Sequence, residues 1–336
     1  MKRVTIKDLA KMLNLSTSTV SRALSDHPDI SEATKRKVNL VAEELNYTTN
    51  IHARLFRKQN SGLVALVLPE MNMFFTPSLI KGINKTIAET NYSLITFLSN
   101  DDYQQEKEII KQCLNWAVEG VLISLSKETK NLQHLAPLSK AKIHCVLLDK
   151  SLENEHFHSI TIDSIDAAYQ AVSYLLKKGH QNILGIFGNP ALTITQERIK
   201  GYKKALQERQ LPIPEENIIS IQDNRNLDFI LPPILRHNKA ITAIFTMSDE
   251  LLSKSLYHLN KMGFSIPEDI SVISISDGIY PYIVHPKITH IKDSGDKMGE
   301  SSVGLLLDSI AGKLDKPNAK ILVPTKLVEL ESTAEL

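Results

Sequence analysis

From Gly62 onward the chain alternates short apolar runs with amphipathic stretches, and that alternation leaves few folds open. The runs are LVALVL (63–68), YSLITFL (92–98), GVLISL (120–125), IHCVLLD (143–149), ILGIF (183–187), AIF (243–245) and SVISIS (271–276). Segments of helical periodicity lie between them, near 77–90, 104–117, 165–178, 195–209, 248–262 and 296–310. Strands that are apolar on both faces and separated by helices form parallel sheets covered on each side. This part of the chain is therefore expected to be α/β. Ligands in such folds bind beyond the carboxyl ends of the strands.

The first sixty residues follow a different rule. Ile6, Leu9, Ala10 and Leu13 recur at the spacing of one helix face. Thr5 stands before that pattern with Asp8 three residues on, a capping-box start. Ser16 is placed to cap a second helix, Thr17 to Leu24, whose Val20, Ala23 and Leu24 turn toward the first. After the turn at His27-Pro28-Asp29, Ser31 caps a third, in which Val38, Val41, Ala42 and Leu45 repeat the spacing. Two helices joined by about three residues, with a third beside them, make a helix-turn-helix. The second helix then presents Thr17, Ser18, Ser21 and Arg22 away from its apolar side. Small hydroxyls allow close approach to a groove, and an arginine fork matches the two acceptors of a guanine edge.

Charge follows the same division. The whole chain of 336 residues carries a formal +1, but residues 1–59 carry +5 and the remainder −4. A basic head on a mildly acidic body fits a local phosphate-binding surface. With 42% apolar and 23% charged residues the composition is that of a globular protein. The start MKRVTIKDLAKML is too charged for a signal peptide, and no apolar run nears the roughly 18 residues that span a bilayer. A cytoplasmic protein is expected, with Cys113 and Cys145 as buried reduced thiols.

Polar residues punctuate the ends of the strands in the body. Phe74 and Phe75 follow the first, Ser99-Asn100 the second, Ser124 and Ser126 the third, and Asp149 the fourth. Asp163, Arg198, Ser248-Asp249 and Ser276-Asp277 come later. Together they outline a polar cleft with aromatic walls, suited to a sugar or nucleobase. Trp116 reads as core, and His156 with His158 as a loop-to-strand surface rather than a metal site. No G-x-x-x-x-G-K, G-x-G-x-x-G, G-x-S-x-G or H-E-x-x-H occurs, and no base-plus-nucleophile pair stands at the strand ends. No enzyme, cofactor or metal is expected.

The string TIKDLAKMLNLSTSTVSRALSDHPDISEATKRKVNLVAEELNY resembles, without a gap, the DNA-binding domain of the LacI/GalR family of transcriptional regulators. The body resembles the same family's periplasmic-binding-protein-like effector domain, through GLVALVLP, EGVLIS, VLLDK, RIKGYKKAL, IPEDISVISISDG and HPKITHI. The resemblance implies an all-α head (1–49), a hinge (50–61), and an effector-binding and dimerisation domain (62–336) of two doubly wound parallel-sheet lobes. One lobe would take about 62–161 and 292–322, the other about 162–291 and 323–336. It gives Thr17, Ser18 and Arg22 as base readers and Thr5, Ser16, Thr19, Ser21, Ser31 and Tyr47 as backbone contacts. Along the hinge it gives Asn50, Ala53, Arg54 and Phe56, with Phe56 where the family carries a leucine wedge. Phenylalanine also serves as an intercalating wedge.

In the body the resemblance makes Arg198 the foremost effector ligand, alongside Phe74, Phe75, Ser124, Asp149, Asp163, Ser248, Ser276 and Asp277. The sequence departs from the family pattern in several places. Asn-Pro-Phe-Phe is here Asn72-Met73-Phe74-Phe75, Asn-Asp is Ser248-Asp249, and Gly-Phe-Asp-Asp is Ser274-Ile275-Ser276-Asp277. A plain hexose is therefore not implied. The partners implied are a pseudo-palindromic double-stranded operator, a small-molecule effector (a sugar or metabolite) and a second copy of the chain. No leucine heptad follows Glu331, which favours a dimer over a tetramer. The rival readings are a solute-binding protein and a sugar-handling enzyme on the same scaffold.

Overall fold

The computed structural model describes residues 4–45, 47, 61–71, 75–149, 152, 155–222, 226–316 and 318–336. The hinge candidates Asn50, Ala53, Arg54 and Phe56, and the cleft candidate Phe74, lie outside those residues. The chain divides into two units, 1–61 and 62–336.

In the first unit, α1 (Ile6–Leu13), α2 (Thr17–Leu24) and α3 (Glu32–Glu44) start where the caps were expected. Thr5 and Asp8 close a reciprocal capping box: the Thr5 amide donates to Asp8 Oδ2 at 2.8 Å, and the Asp8 amide to Thr5 Oγ1 at 3.4 Å. Ser16 accepts from the Thr19 amide and Ser31 from that of Thr34. Leu9, Ala10, Leu13, Val20, Ala23, Val38 and Ala42 form the core, with Tyr47 packed partly against it.

The second unit holds two six-stranded sheets. The first is built from β1 (Leu63–Leu68), β2 (Ser93–Leu98), β3 (Gly120–Ile123), β4 (His144–Leu148), β5 (His158–Ile162) and β11 (Lys320–Val323), in the order β11-β5-β4-β3-β1-β2. The second takes β6 (Ile183–Phe187), β7 (Ile218–Ser220), β8 (Ala243–Thr246), β9 (Ser271–Ser276), β10 (Thr289–Lys292) and β12 (Lys326–Val328), in the order β12-β10-β9-β8-β6-β7. Every pairing is parallel except β10 with β12. The chain passes from the first sheet to the second after β5 and returns after β10. It crosses once more between β11 and β12.

Why β1 is a continuous apolar run follows from its two covered faces. Val64, Leu66 and Leu68 point into one helix layer, while Ala65 and Val67 join Ile109, Ile110 and Cys113 in the other. The first layer contains α4 (Phe75–Ala88) and α12 (Gly295–Ile310), and the second contains α5 (Tyr103–Asn115) and the short α6 (Ala136–Lys140). In the other lobe α7 (Ser164–Lys177) packs on α8 (Thr193–Glu208), while α9 (Leu227–His237) packs on α10 (Asp249–Lys261). The four-residue α11 (Tyr280–Ile283) follows β9.

Two expectations are corrected, and one helix is added. Trp116 is 49% exposed rather than core, because it caps the C-terminus of α5 and its ring leans on Phe97 of the edge strand β2. His158 is buried rather than on the surface, because β11 pairs outside β5 and covers it. Helix α9 lies outside the predicted helical stretches and carries Pro232 and Pro233 inside it. Those prolines leave the carbonyls of Asp228 and Phe229 without helical donors, and Phe229 is 79% exposed, so water can satisfy them. Both cysteines are free and buried. Burial pushes the Cys113 thiol up to about 12 and raises that of Cys145 as well.

Candidate functional site

The head presents one face of α2. Val20 and Ala23 anchor the helix in the core, which leaves Thr17, Ser18 and Arg22 exposed on the other side and Thr19 and Ser21 half-buried. The hydroxyls there are already interlinked: Ser16 Oγ lies 2.7 Å from Ser18 Oγ and 2.8 Å from Thr19 Oγ1. Thr5 and Ser31 are exposed at helix N-termini, where the positive end of the dipole attracts phosphate. Lys35 is not free for such a role, because its ammonium sits 2.6 Å from Asp26 and 2.9 Å from Glu32.

In the body, strand order fixes where a cleft opens. Beside β1 the order reverses, with β2 on one side and β3 on the other, and β6 stands likewise between β7 and β8. Loops leaving adjacent strands in opposite directions part and leave a crevice. A cavity of about 610 Å³ opens there, lined by Leu68, Pro69 and Ser124 from one lobe and Gly188, Asn189, Met247 and Ser248 from the other. Phe75, Asp149, Thr195, Arg198, Gln222 and Asp249 also line it. A second cavity, of about 490 Å³, shares Lys127, Asp149, Leu192 and Ile194 with the first and adds Ser126, Asp163, Glu197 and Lys320.

Of the cleft candidates, Phe75, Ser124, Asp149, Arg198 and Ser248 line the larger cavity and Asp163 the smaller. Ser276 and Asp277 line neither. The Ser276 hydroxyl donates to Asp249, and Asp277 accepts from Ser78 and from the Gly295 amide at 2.9 Å. Ser99 and Asn100 turn the chain after β2 instead, Ser99 fully buried and Asn100 in the left-handed region. Glu106 holds the loop after β3. Fully buried, it accepts from the Ser126 amide and the Thr129 hydroxyl, both at 2.6 Å. His134 Nε2 stands 2.9 Å from the same carboxylate but off the line of a hydrogen bond.

Arg198 is the electrostatic centre of the cleft. It is 5% exposed; Nη1 donates to the Met247 carbonyl and Nη2 lies 3.7 Å from Asp293, while Nε has no hydrogen-bond partner among the described residues. Burial lowers its pKa, opposed by Asp293, Asp149, Glu197 and Asp249. Burial also pushes Asp249 up to about 7 and Asp293 up to about 8, and raises Glu197 and Asp277. Asp293, Glu197, Thr195 and Gln222 escaped the sequence reading. Asp293 and Gln222 each come one or two residues after a short strand, and recognising those strands would have drawn attention to them. Among the described residues no group of three His, Cys, Asp or Glu side chains is placed to hold a metal, and no helix is long and apolar enough to cross a membrane.

Comparison with known proteins adds the following. Residues 5–50 match the model of bacterial regulatory proteins of the lacI family, and residues 172–333 that of the periplasmic binding protein-like domain. The chain is 32% identical over 335 residues to the NTD biosynthesis operon regulator NtdR of Bacillus subtilis (strain 168), covering 98% of this chain and 99% of that one. The Lac repressor dimer bound to operator and the anti-inducer ONPF superposes with a TM-score of 0.85 at 23% identity, over 99% of this chain and 100% of that one. A regulator from Enterococcus faecium with bound ribose gives 0.70 at 25% identity, over 82% of this chain and 99% of that one.

Proposed function

The chain belongs to the lacI family of bacterial regulatory proteins, and from that premise we propose how it reads DNA and what it listens to. It is a transcription regulator and not an enzyme. Residues 1–49 bind a pseudo-palindromic operator, with Thr17, Ser18 and Arg22 meeting base edges in the major groove. Thr5, Ser16, Thr19, Ser21, Ser31 and Tyr47 meet the phosphate backbone. Asn50, Ala53, Arg54 and Phe56 form the hinge, with Phe56 entering the minor groove at the centre of the site.

Residues 62–336 bind a small polar metabolite between the lobes, and the resulting shift of one lobe against the other changes operator affinity. Such coupling typically amounts to about 1–3 kcal/mol. Ile279, Tyr282 and Ile283 stand exposed on the second lobe and support pairing with a second copy. The protein works as a dimeric repressor in the cytoplasm.

One observation supports this reading above the others. A helix whose inner face is locked by Val20 and Ala23 offers an exposed arginine between small hydroxyls. The test is selection of bound sequences from a random duplex library, followed by titration of the winner against scrambled DNA. A dyad-symmetric consensus bound at least a thousandfold more tightly is expected. Equal binding to both duplexes would overturn it.

A further inference from the structure

Carboxylates outnumber cations along the walls of the cleft. One buried guanidinium, Arg198, lies in the fields of Asp293, Asp149, Glu197 and Asp249, and Asp293 in turn feels Asp149, Asp277 and Asp249. The nearby lysines do not restore the balance. Lys127 is bound to Asp101 at 3.2 Å, and Lys130 and Lys320 are exposed at the rim, where solvent screens them. Arg198 itself is engaged by the Met247 carbonyl and Asp293, and its Nε has no hydrogen-bond partner among the described residues.

Asp149 is the carboxylate that stands open. It follows β4 in the left-handed conformation, is half-buried, and lines both cavities. Among the described residues its side chain has no hydrogen-bond or ion-pair partner, and the same holds for Glu197. Ser124, Thr195, Asn189 and Gln222 supply neutral hydrogen-bonding groups beside them, and the Phe75 ring an apolar wall.

Resting on the reading of the cleft as the sensing site, we propose that its effector is a polyhydroxylated amine, an amino sugar in its ammonium form. The nitrogen sits against Asp149, and the hydroxyls reach Arg198, Ser124 and Thr195. A phosphorylated sugar would bring like charge among these carboxylates and find a single committed cation. A neutral sugar would fill the hydrogen bonds but leave the open Asp149 carboxylate without a cation. The ammonium does both, and charge-assisted hydrogen bonds are about twice as strong as neutral ones.

The experiment uses the full chain in thermal-shift titrations at pH 6.5 and low salt. Glucose, galactose and mannose are each tested as the neutral sugar, the 2-amino sugar, its N-acetyl derivative and the 6-phosphate. At least one amino member should raise Tm, with its N-acetyl twin tenfold weaker or worse. Asp149→Asn should lose about tenfold or more in affinity for that amino member while unfolding as cooperatively as the parent. The assignment is overturned if no amino member stabilises more than its neutral twin. Stabilisation by neutral or phosphorylated members would then leave the sensing role standing. No shift from any compound, with operator affinity also unmoved by all of them, would remove the sensing role as well.

Discussion

Asp277, at the end of β9, accepts a hydrogen bond from the Ser78 hydroxyl on α4 and so ties one lobe to the other. The same carboxylate oxygen accepts from the Gly295 amide at 2.9 Å, at the first residue of α12. Space there is as restricted as the bonding: a Cβ on Gly295 would run into the Ser78 hydroxyl and the Asp277 carboxylate. Any rearrangement of the lobes has to break or re-form this contact.

Ser78→Ala removes the tie while leaving Asp277 its Gly295 partner. Operator affinity of the effector-free protein should change by about 0.5–2 kcal/mol, with Tm lowered by a few degrees. Fluorescence anisotropy with labelled operator measures the first and thermal unfolding the second. An altered Tm with unaltered operator affinity would reduce the contact to a local brace.

Arg22→Ala should cost about 1–3 kcal/mol on the selected operator and blur discrimination at one position of each half-site. Binding to scrambled DNA should hardly change. Equal losses on both duplexes would make Arg22 a phosphate contact.

Helices α4 and α12 cross through glycines. A Cβ on Gly299 would meet the Leu79 carbonyl and, at 2.7 Å, the Ile83 amide nitrogen, both backbone atoms that cannot swing aside. Gly299→Ala should therefore destabilise the body by about 1–3 kcal/mol, read as a lower urea midpoint at constant m. An unchanged midpoint would mean that the two helices separate at little cost.

Stability should fall on both sides of neutrality, for groups of opposite sign. Asp249 and Asp293 are raised to about 7 and about 8, so the native state holds protons that the unfolded chain has released. Their contribution is complete below the ordinary carboxylate value near 3.8 and is lost as pH rises through 7 and 8. His144 and His158 are depressed by burial, so theirs is present above about 6.5 and lost on acidification. The Ala319 amide donates to His158 Nδ1 at 3.0 Å, a bond that protonation of that nitrogen would break. Asp293→Asn should flatten the alkaline decline between pH 6 and 8.5, followed as Tm against pH. A decline as steep as the parent's would place the titrating group elsewhere.

How much of this could be read from residues alone depended on how local the signal was. The head was legible throughout, because Thr5, Ser16 and Ser31 mark each helix start and the apolar spacing marks each face. Seven apolar runs identified seven of the strands, but β5, β7, β10, β11 and β12 are three to five residues long and contain polar residues (HSITI, IIS, THIK, KILV and KLV). Such strands are specified by their neighbours more than by their own composition. The cleft was legible where a loop follows β1, β3, β4, β5 or β8, and at Arg198 beyond β6. Ser276 and Asp277 also end a strand, β9, but their side chains are engaged by Asp249 and by Ser78 and Gly295. The sequence marks the end of a strand and not its place in the sheet. Asp277 went into the contact between lobes, and Ser276 into a bond with Asp249 of its own lobe.

Strands β11 and β12 lie only two residues apart, yet each closes the edge of a different sheet. A chain stopped before Lys320 would leave β5 and β10 with bare edges, offering unpaired backbone to any passing strand. Neither lobe exists as an unbroken stretch of polypeptide, so neither can be cut out and grafted elsewhere. A chimera that gives this head a new sensor, or this sensor a new head, has to exchange everything past Ser61 as one piece.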